Sequence, residues 1–175
     1  QVFLDVKIPS LVGVNSPKDL NIRWSGNIGH ALIEYVEIEI GGKVIDKQYG
    51  IWMNIWSELV TPSDIQGALD EMIGSEGAVV DEQHLHIPLY FWFCRHPGLA
   101  LPLIALQYQE VCINVSFTPL HRLLSSYSTM GQVLSAINQC NCEINILEAS
   151  LYVDYIFLED RERQLFYLHN HNFLI

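Results

Sequence analysis

Basic residues are scarce in this sequence. Lys and Arg number 9 against 20 Asp and Glu, so the formal net charge is −11. Nucleic acid as the main ligand is excluded on that balance, because phosphate binding needs clustered cations that displace counterions. An anionic membrane surface is disfavoured for the same reason. Charge of either sign is low, at 17% of residues against about 25% in an ordinary soluble domain. Such a chain either covers a large core with neutral polar surface or hides part of its surface against partners, since charge is depleted at interface cores.

Cysteine is also sparse. Cys94, Cys112, Cys140 and Cys142 are too few and too irregular for a disulfide scaffold, and a reducing compartment fits them. Cys140-x-Cys142 has no second pair nearby to complete a metal site, so it reads as two reduced loop thiols. Long apolar runs are missing. The stretch from Leu85 to Leu106 is broken by Pro88, Arg95, His96, Pro97 and Pro102, whereas a spanning helix needs roughly 20 predominantly apolar residues. No basic segment precedes an apolar one at the start, so no signal peptide is expected. Gln1 is followed at once by the alternating Val2, Leu4 and Val6, as in a fragment or processed form that begins inside structure.

What is present is mostly strand pattern. Half of the 175 residues are hydrophobic, enough for one domain with a real core. Val111, Ile113, Val115 and Phe117 share one face at the period of two that marks a strand. Leu85, Ile87, Leu89, Phe91 and Phe93 do the same, as do Ala149, Leu151, Val153, Tyr155 and Phe157. Between Leu32 and Ile40 the apolar face switches near Tyr35–Val36, which predicts a bulge or a change of sheet. Gly41-Gly42 then predicts a hairpin.

Helices interrupt the strands. Ile51, Ile55 and Leu59 recur at helical spacing with Trp52 and Trp56 beside them, which predicts a packed helix. Thr61-Pro62-Ser63-Asp64 predicts a capped helix start, with Ile65, Leu69 and Met72 as its inner face and Gly74 at its end. Asp160 opens a terminal helix through Leu165, Leu168 and Asn172. Residues 74–84 and 118–143 read as long polar excursions. The expected fold is all-β with short helices, an antiparallel jelly-roll sandwich.

Catalytic signatures are absent: no nucleophile elbow, no phosphate-binding loop and no zinc-protease helix, so no cofactor is implied. His84-x-His86 is the sharpest metal candidate, because alternate strand residues share a face. A cupin-type site would add a carboxylate soon after. Ile87, Pro88, Leu89, Tyr90 and Phe91 supply none, so both histidines read as strand-start residues. His169 and His171 sit in an expected helix, on different faces. Asn114-Val115-Ser116 is a formal sequon placed mid-strand, which reads as a sheet-paired asparagine. Trp52 and Trp56 read as core or interface packing rather than a sugar groove. Asp64, Asp70, Glu71, Glu76, Asp81 and Glu82 match no calcium-loop spacing and read as a solvated acidic face.

Three long strings carry a resemblance: SGNIGHALIEYVEIEIGGKVIDKQYGIWMNIWSEL from Ser25, LHIPLYFWFCRHPGLALPLIALQYQEVCINVSF from Leu85, and ASLYVDYIFLEDRERQLF from Ala149. In this order and spacing the chain resembles the major capsid protein of nucleocytoplasmic large DNA viruses over roughly residues 20–175. The resemblance implies a double jelly-roll subunit, each roll eight-stranded, with three subunits per pseudo-hexagonal capsomer of an icosahedral shell. It implies that residues 1–158 are the first jelly roll, incomplete at its opening strands, and that 159–175 lead towards a second roll. The partners it implies are further copies of the chain as homotrimer and neighbouring capsomers, and minor capsid proteins. An internal viral membrane would lie nearby without the protein inserting in it, and DNA would not be contacted. The location implied is the virion shell, assembled in host cytoplasm. Residues 60–84 and 118–143 would form the outer surface. Trp52, Trp56, Arg95 and His96 are the candidates for subunit packing. A minor capsid protein, a carbohydrate-binding jelly-roll module and a cupin-like metalloenzyme are the rival readings.

Overall fold

A computed structural model describes residues 1–12, 21–75, 80–126 and 144–168. Two three-stranded antiparallel sheets and a two-stranded ribbon share one hydrophobic core. In the first sheet β1 (Val2–Ile8) lies between β5 (Gln83–Pro88) and β8 (Glu148–Val153). In the second, β3 (Ile33–Ile40) lies between β4 (Lys43–Tyr49) and β6 (Val111–Phe117). The ribbon joins β2 (Arg23–Trp24) to β7 (Leu124–Ser125).

The alternation seen in the sequence sets the inner faces. Val2, Leu4, Val6 and Ile8 from β1 meet Leu85 and Ile87 from β5 in the core, together with Val36 and Ile38 from β3. The switch near Tyr35 is a bulge. The β3–β6 register shifts between Ile33 and Tyr35, so Glu34 is passed over and turns outward, where Ser116 Oγ donates to its Oε2 at 2.9 Å. Inserting one residue moves every later side chain to the other face, which returns Val36 and Ile38 to the core. The β3–β4 hairpin turns on Gly41 and Gly42, both with positive φ, as a type I′ turn demands. A second shift follows Ile38.

Five helices are described: α1 (Ile28–Leu32), α2 (Gly50–Val60), α3 (Gln66–Ile73), α4 (Trp92–Arg95) and α5 (Asp160–Leu168). α1 buries Ile28, His30 and Leu32. It is tied to α2 by Asn54, whose Oδ1 accepts from Asn27 Nδ2 at 2.9 Å and lies 3.4 Å from His30 Nδ1. Gly50 makes this junction possible. A Cβ there would lie 2.1 Å from the Ile33 carbonyl oxygen and 2.2 Å from that of His30. Gly74 ends α3 in the left-handed conformation, as its position predicts.

Several expectations fail in instructive ways. α2 buries Gly50, Met53 and Ser57, while the apolar row, read as core or interface packing, is not core and faces solvent, with Ile51 76%, Ile55 47% and Leu59 75% exposed. The helix is apolar almost all round, so periodicity could not say which side the sheet covers. Thr61 does not cap α3; it ends α2, its N–H donating to the Ser57 carbonyl, and α3 starts after Ile65 with no side-chain cap. Within α3 the fully buried residue is Ile73 rather than the row Ile65, Leu69, Met72. The 85–93 strand stops at Pro88, which has no N–H to continue a ladder, and Phe91 leads into α4. The run 149–157 is strand only to Val153 and is exposed throughout, because no core residue among those described packs against it. Cys140, Cys142, His169, His171, Asn172, Glu76 and most of 118–143 lie outside the described residues.

Candidate functional site

The most distinctive surface is built where β4 hands over to α2. Tyr49, the last residue of β4, precedes Gly50, and the helix then projects Ile51, Trp52, Ile55 and Leu59 outward. Trp52 and Trp56, one turn apart, meet in a tilted pair at 5.8 Å between ring centroids. From α4, the Arg95 guanidinium lies 5.1 Å over the Trp56 ring, a cation–π distance. Trp52, Trp92 and Arg95 line a shallow cleft of about 240 Å³ with Asp46, Lys47, Gln48 and Tyr49 of β4. A drug-sized ligand needs roughly 300–1,000 Å³ of well-enclosed space, so the cleft is a feature of a surface rather than a substrate chamber.

Three of the four sequence candidates, Trp52, Trp56 and Arg95, therefore meet. His96 does not join them. Its Nδ1 accepts from the Gly98 N–H at 3.0 Å and caps a 3₁₀ turn, Pro97–Leu99. Beneath the cleft Gln48 is buried and its Nε2 donates to Asp46 Oδ2 and to the Tyr90 carbonyl, both at 3.1 Å. These bonds fix the floor under Trp52. Burial pushes the Tyr90 hydroxyl up to about 12 and raises the Cys94 thiol above its ordinary range, so neither is poised for chemistry at neutral pH. Burial likewise lowers His30, partly offset by its contact with Asn54.

The outer face of the second sheet is polar. Lys47 pairs with Glu37 at 3.2 Å and sits 3.5 Å from the Tyr35 ring centroid. Asn114 of the sequon is mid-strand in β6 opposite Glu37, exposed, with Nδ2 near Glu37 and Glu39.

One constellation escaped the sequence. His84 and His86 do share a face of β5, but their carboxylate comes from β1, not from the residues that follow. Antiparallel register sets Asp5 directly opposite His86 and beside His84. Asp5 Oδ1 contacts His84 Nε2, and Asp5 Oδ2 lies 3.4 Å from His86 Nδ1. Only the pairing of two strands far apart in the chain makes this visible; the one local signal is Asp5 among the alternating apolar residues of β1.

Comparison with known proteins bears on the surface. A family profile described as major capsid protein N-terminus matches residues 1–159. The major capsid protein of Pyramimonas orientalis virus is 40% identical over 161 residues, covering 87% of this chain and 36% of that protein. That of Chrysochromulina ericina virus is 36% identical, covering 87% of this chain and 32% of that protein. Among solved structures, a quasi-atomic model of the PBCV-1 virus capsid superposes with a TM-score of 0.66 at 27% identity, over 95% of this chain and 36% of that one. The chain thus spans about a third of the length of the relatives it matches.

Proposed function

The chain belongs to the major capsid protein family through that family's N-terminal region, and from this premise we propose that it is a structural shell protein of a large DNA virion. The match across residues 1–159 carries the reading. In it, residues 1–158 form the first of two eight-stranded jelly rolls in a longer subunit and 159–175 lead into the second. Three subunits make a pseudo-hexagonal capsomer, which contacts neighbouring capsomers and minor capsid proteins. The role is mechanical, not enzymatic.

The physical features suit such a role. A helix apolar on both sides yet exposed on one is stable in water only at a cost that a partner removes. Trp52 and Trp56 supply large rigid contact area, and Arg95, already over a ring, is the cation type enriched at interface centres. A heterologous contact between α2 and a different patch on the next subunit closes into a ring under threefold symmetry. Of the two spans expected on the outer surface, the exposed residues Pro62, Ser63, Asp64 and Ile65 suit that side, whereas Leu120, Leu123 and Leu124 pack into the core.

Light scattering on the native subunit and peptide quantification on purified particles test the reading together. A threefold assembly and a dominant virion copy number are expected. A trace copy number would favour a minor capsid protein. A stable monomer that binds glycan would favour an attachment module.

A further inference from the structure

Asp5, His84 and His86 offer three ligand atoms that all lie within 4.8 Å of one another, and we propose that they form a binding site for a divalent transition metal, zinc in the first instance, clamping β1 to β5. The inference is independent of the shell reading. The three residues sit on the outward face of the first sheet, opposite the side that carries Leu4, Val6, Leu85 and Ile87.

The donor set suits the ion. Two imidazole nitrogens and a carboxylate oxygen are ligands of Zn²⁺ and its neighbours, whereas Ca²⁺ and Mg²⁺ prefer all-oxygen shells. At metal–ligand distances of about 2.0–2.2 Å, a tetrahedral ion separates its ligand atoms by about 3.4 Å. His86 Nδ1 and Asp5 Oδ2 already stand 3.4 Å apart. The two imidazole rings lie 4.7 Å apart between centroids, and the His84 Nε2 lies within 4.8 Å of both other ligand atoms. Three protein ligands leave one position for water.

Charge and access point the same way. The Asp5 side chain is only 8% exposed, and a carboxylate so far removed from water needs partners, here the two imidazoles or an ion shared with them. Lys7, two residues along the same face, is instead engaged by Glu82 at 2.8 Å. The imidazoles are 58% and 47% exposed, so an ion reaches the buried carboxylate through them. The ligands come from two paired strands, which favours a staple between strands over a reaction centre.

Zinc chloride titrated into the full chain by calorimetry, with thermal melting alongside, tests this. One zinc per chain is expected, with low-micromolar affinity and a rise in Tm of several degrees, because an ion bound only by the folded state stabilises it. His84→Ala and His86→Ala alter exposed rings, and each should weaken binding at least tenfold and abolish the Tm rise. His121→Ala, at an exposed histidine elsewhere, should change neither. Asp5→Asn keeps the shape of the side chain and should weaken binding as the histidine variants do; if it fails to fold, the two histidine variants decide alone. Zinc affinity that is absent, or unchanged in the His84→Ala, His86→Ala double variant, overturns the proposal.

Discussion

β1 and β8 are neighbours in one sheet with similar apolar residues, yet they meet opposite fates. Val2, Leu4 and Val6 are all below 5% exposed. Their direct partners Val153, Leu151 and Ala149 are exposed, Leu151 by 40% and Val153 by 38%. Composition does not separate the two strands; position does. β1 has a strand on each side and the other sheet's side chains over its inner face, while β8 has one neighbour and nothing over it among the described residues. Hydrophobic stabilisation scales with the area taken out of water, so the same leucine is worth far more in the covered strand than in the open one.

Five substitutions and one change of pH sharpen that contrast between covered and open positions. Gly50→Ala should have the largest effect, about 4 kcal/mol or failure to fold, since its methyl must displace the Ile33 and His30 backbone carbonyls rather than a side chain. Urea denaturation measures it, and a loss under 1 kcal/mol would show that the α1–α2 junction yields easily. Next, Leu4→Ala should cost about 3 kcal/mol by leaving a cavity, against less than about 1 kcal/mol for Leu151→Ala. Equal losses would mean that β8 is covered in solution, and would break the comparison.

The pH dependence follows from His30, inside the covered region. Its folded value lies below the ordinary 6.5 because burial disfavours the charged ring. The unfolded chain therefore takes up the proton first, so this contribution is complete above about pH 6.5 and is lost as pH falls below it towards the folded value. His30→Gln should flatten the acid limb of stability between pH 7 and pH 5; an unchanged slope would assign that limb to other groups. Smallest, and opposite in sign, is Gly67→Ala in α3. No atom stands within 4 Å of the added methyl, so the helix should gain about 0.5–1 kcal/mol, and a loss in thermal melting would count against an open position there.

What could be read in advance was whatever depends on near neighbours along the chain. The alternation of β1, β5 and β6, the bulge beside Tyr35, the Gly41-Gly42 turn and the Gly74 helix end are all local chemistry. What could not was which side of an element another element would cover. Ile51, Ile55 and Leu59 form a proper apolar row, but Gly50, Met53 and Ser57 lie on the side that allows α2 to approach closely. Likewise Trp52, Trp56 and Arg95 stand out in the sequence but their meeting does not, and the convergence of Asp5 on His84 and His86 depends on a strand register no local spacing reveals.

The register of β1 also sets an order of events during synthesis. The β3–β4 hairpin joins residues close in sequence, from Tyr35–Tyr49 to Ile40–Lys43, and closes a short loop at small entropic cost. β1 precedes this hairpin in the chain yet is paired after it. It gains one neighbour only when residues 83–88 have emerged and the other only when Val153 can reach Val2. Such long-range pairing slows folding, so β1 waits for residues 83–88 before one of its edges is paired and for residues 148–153 before the other is.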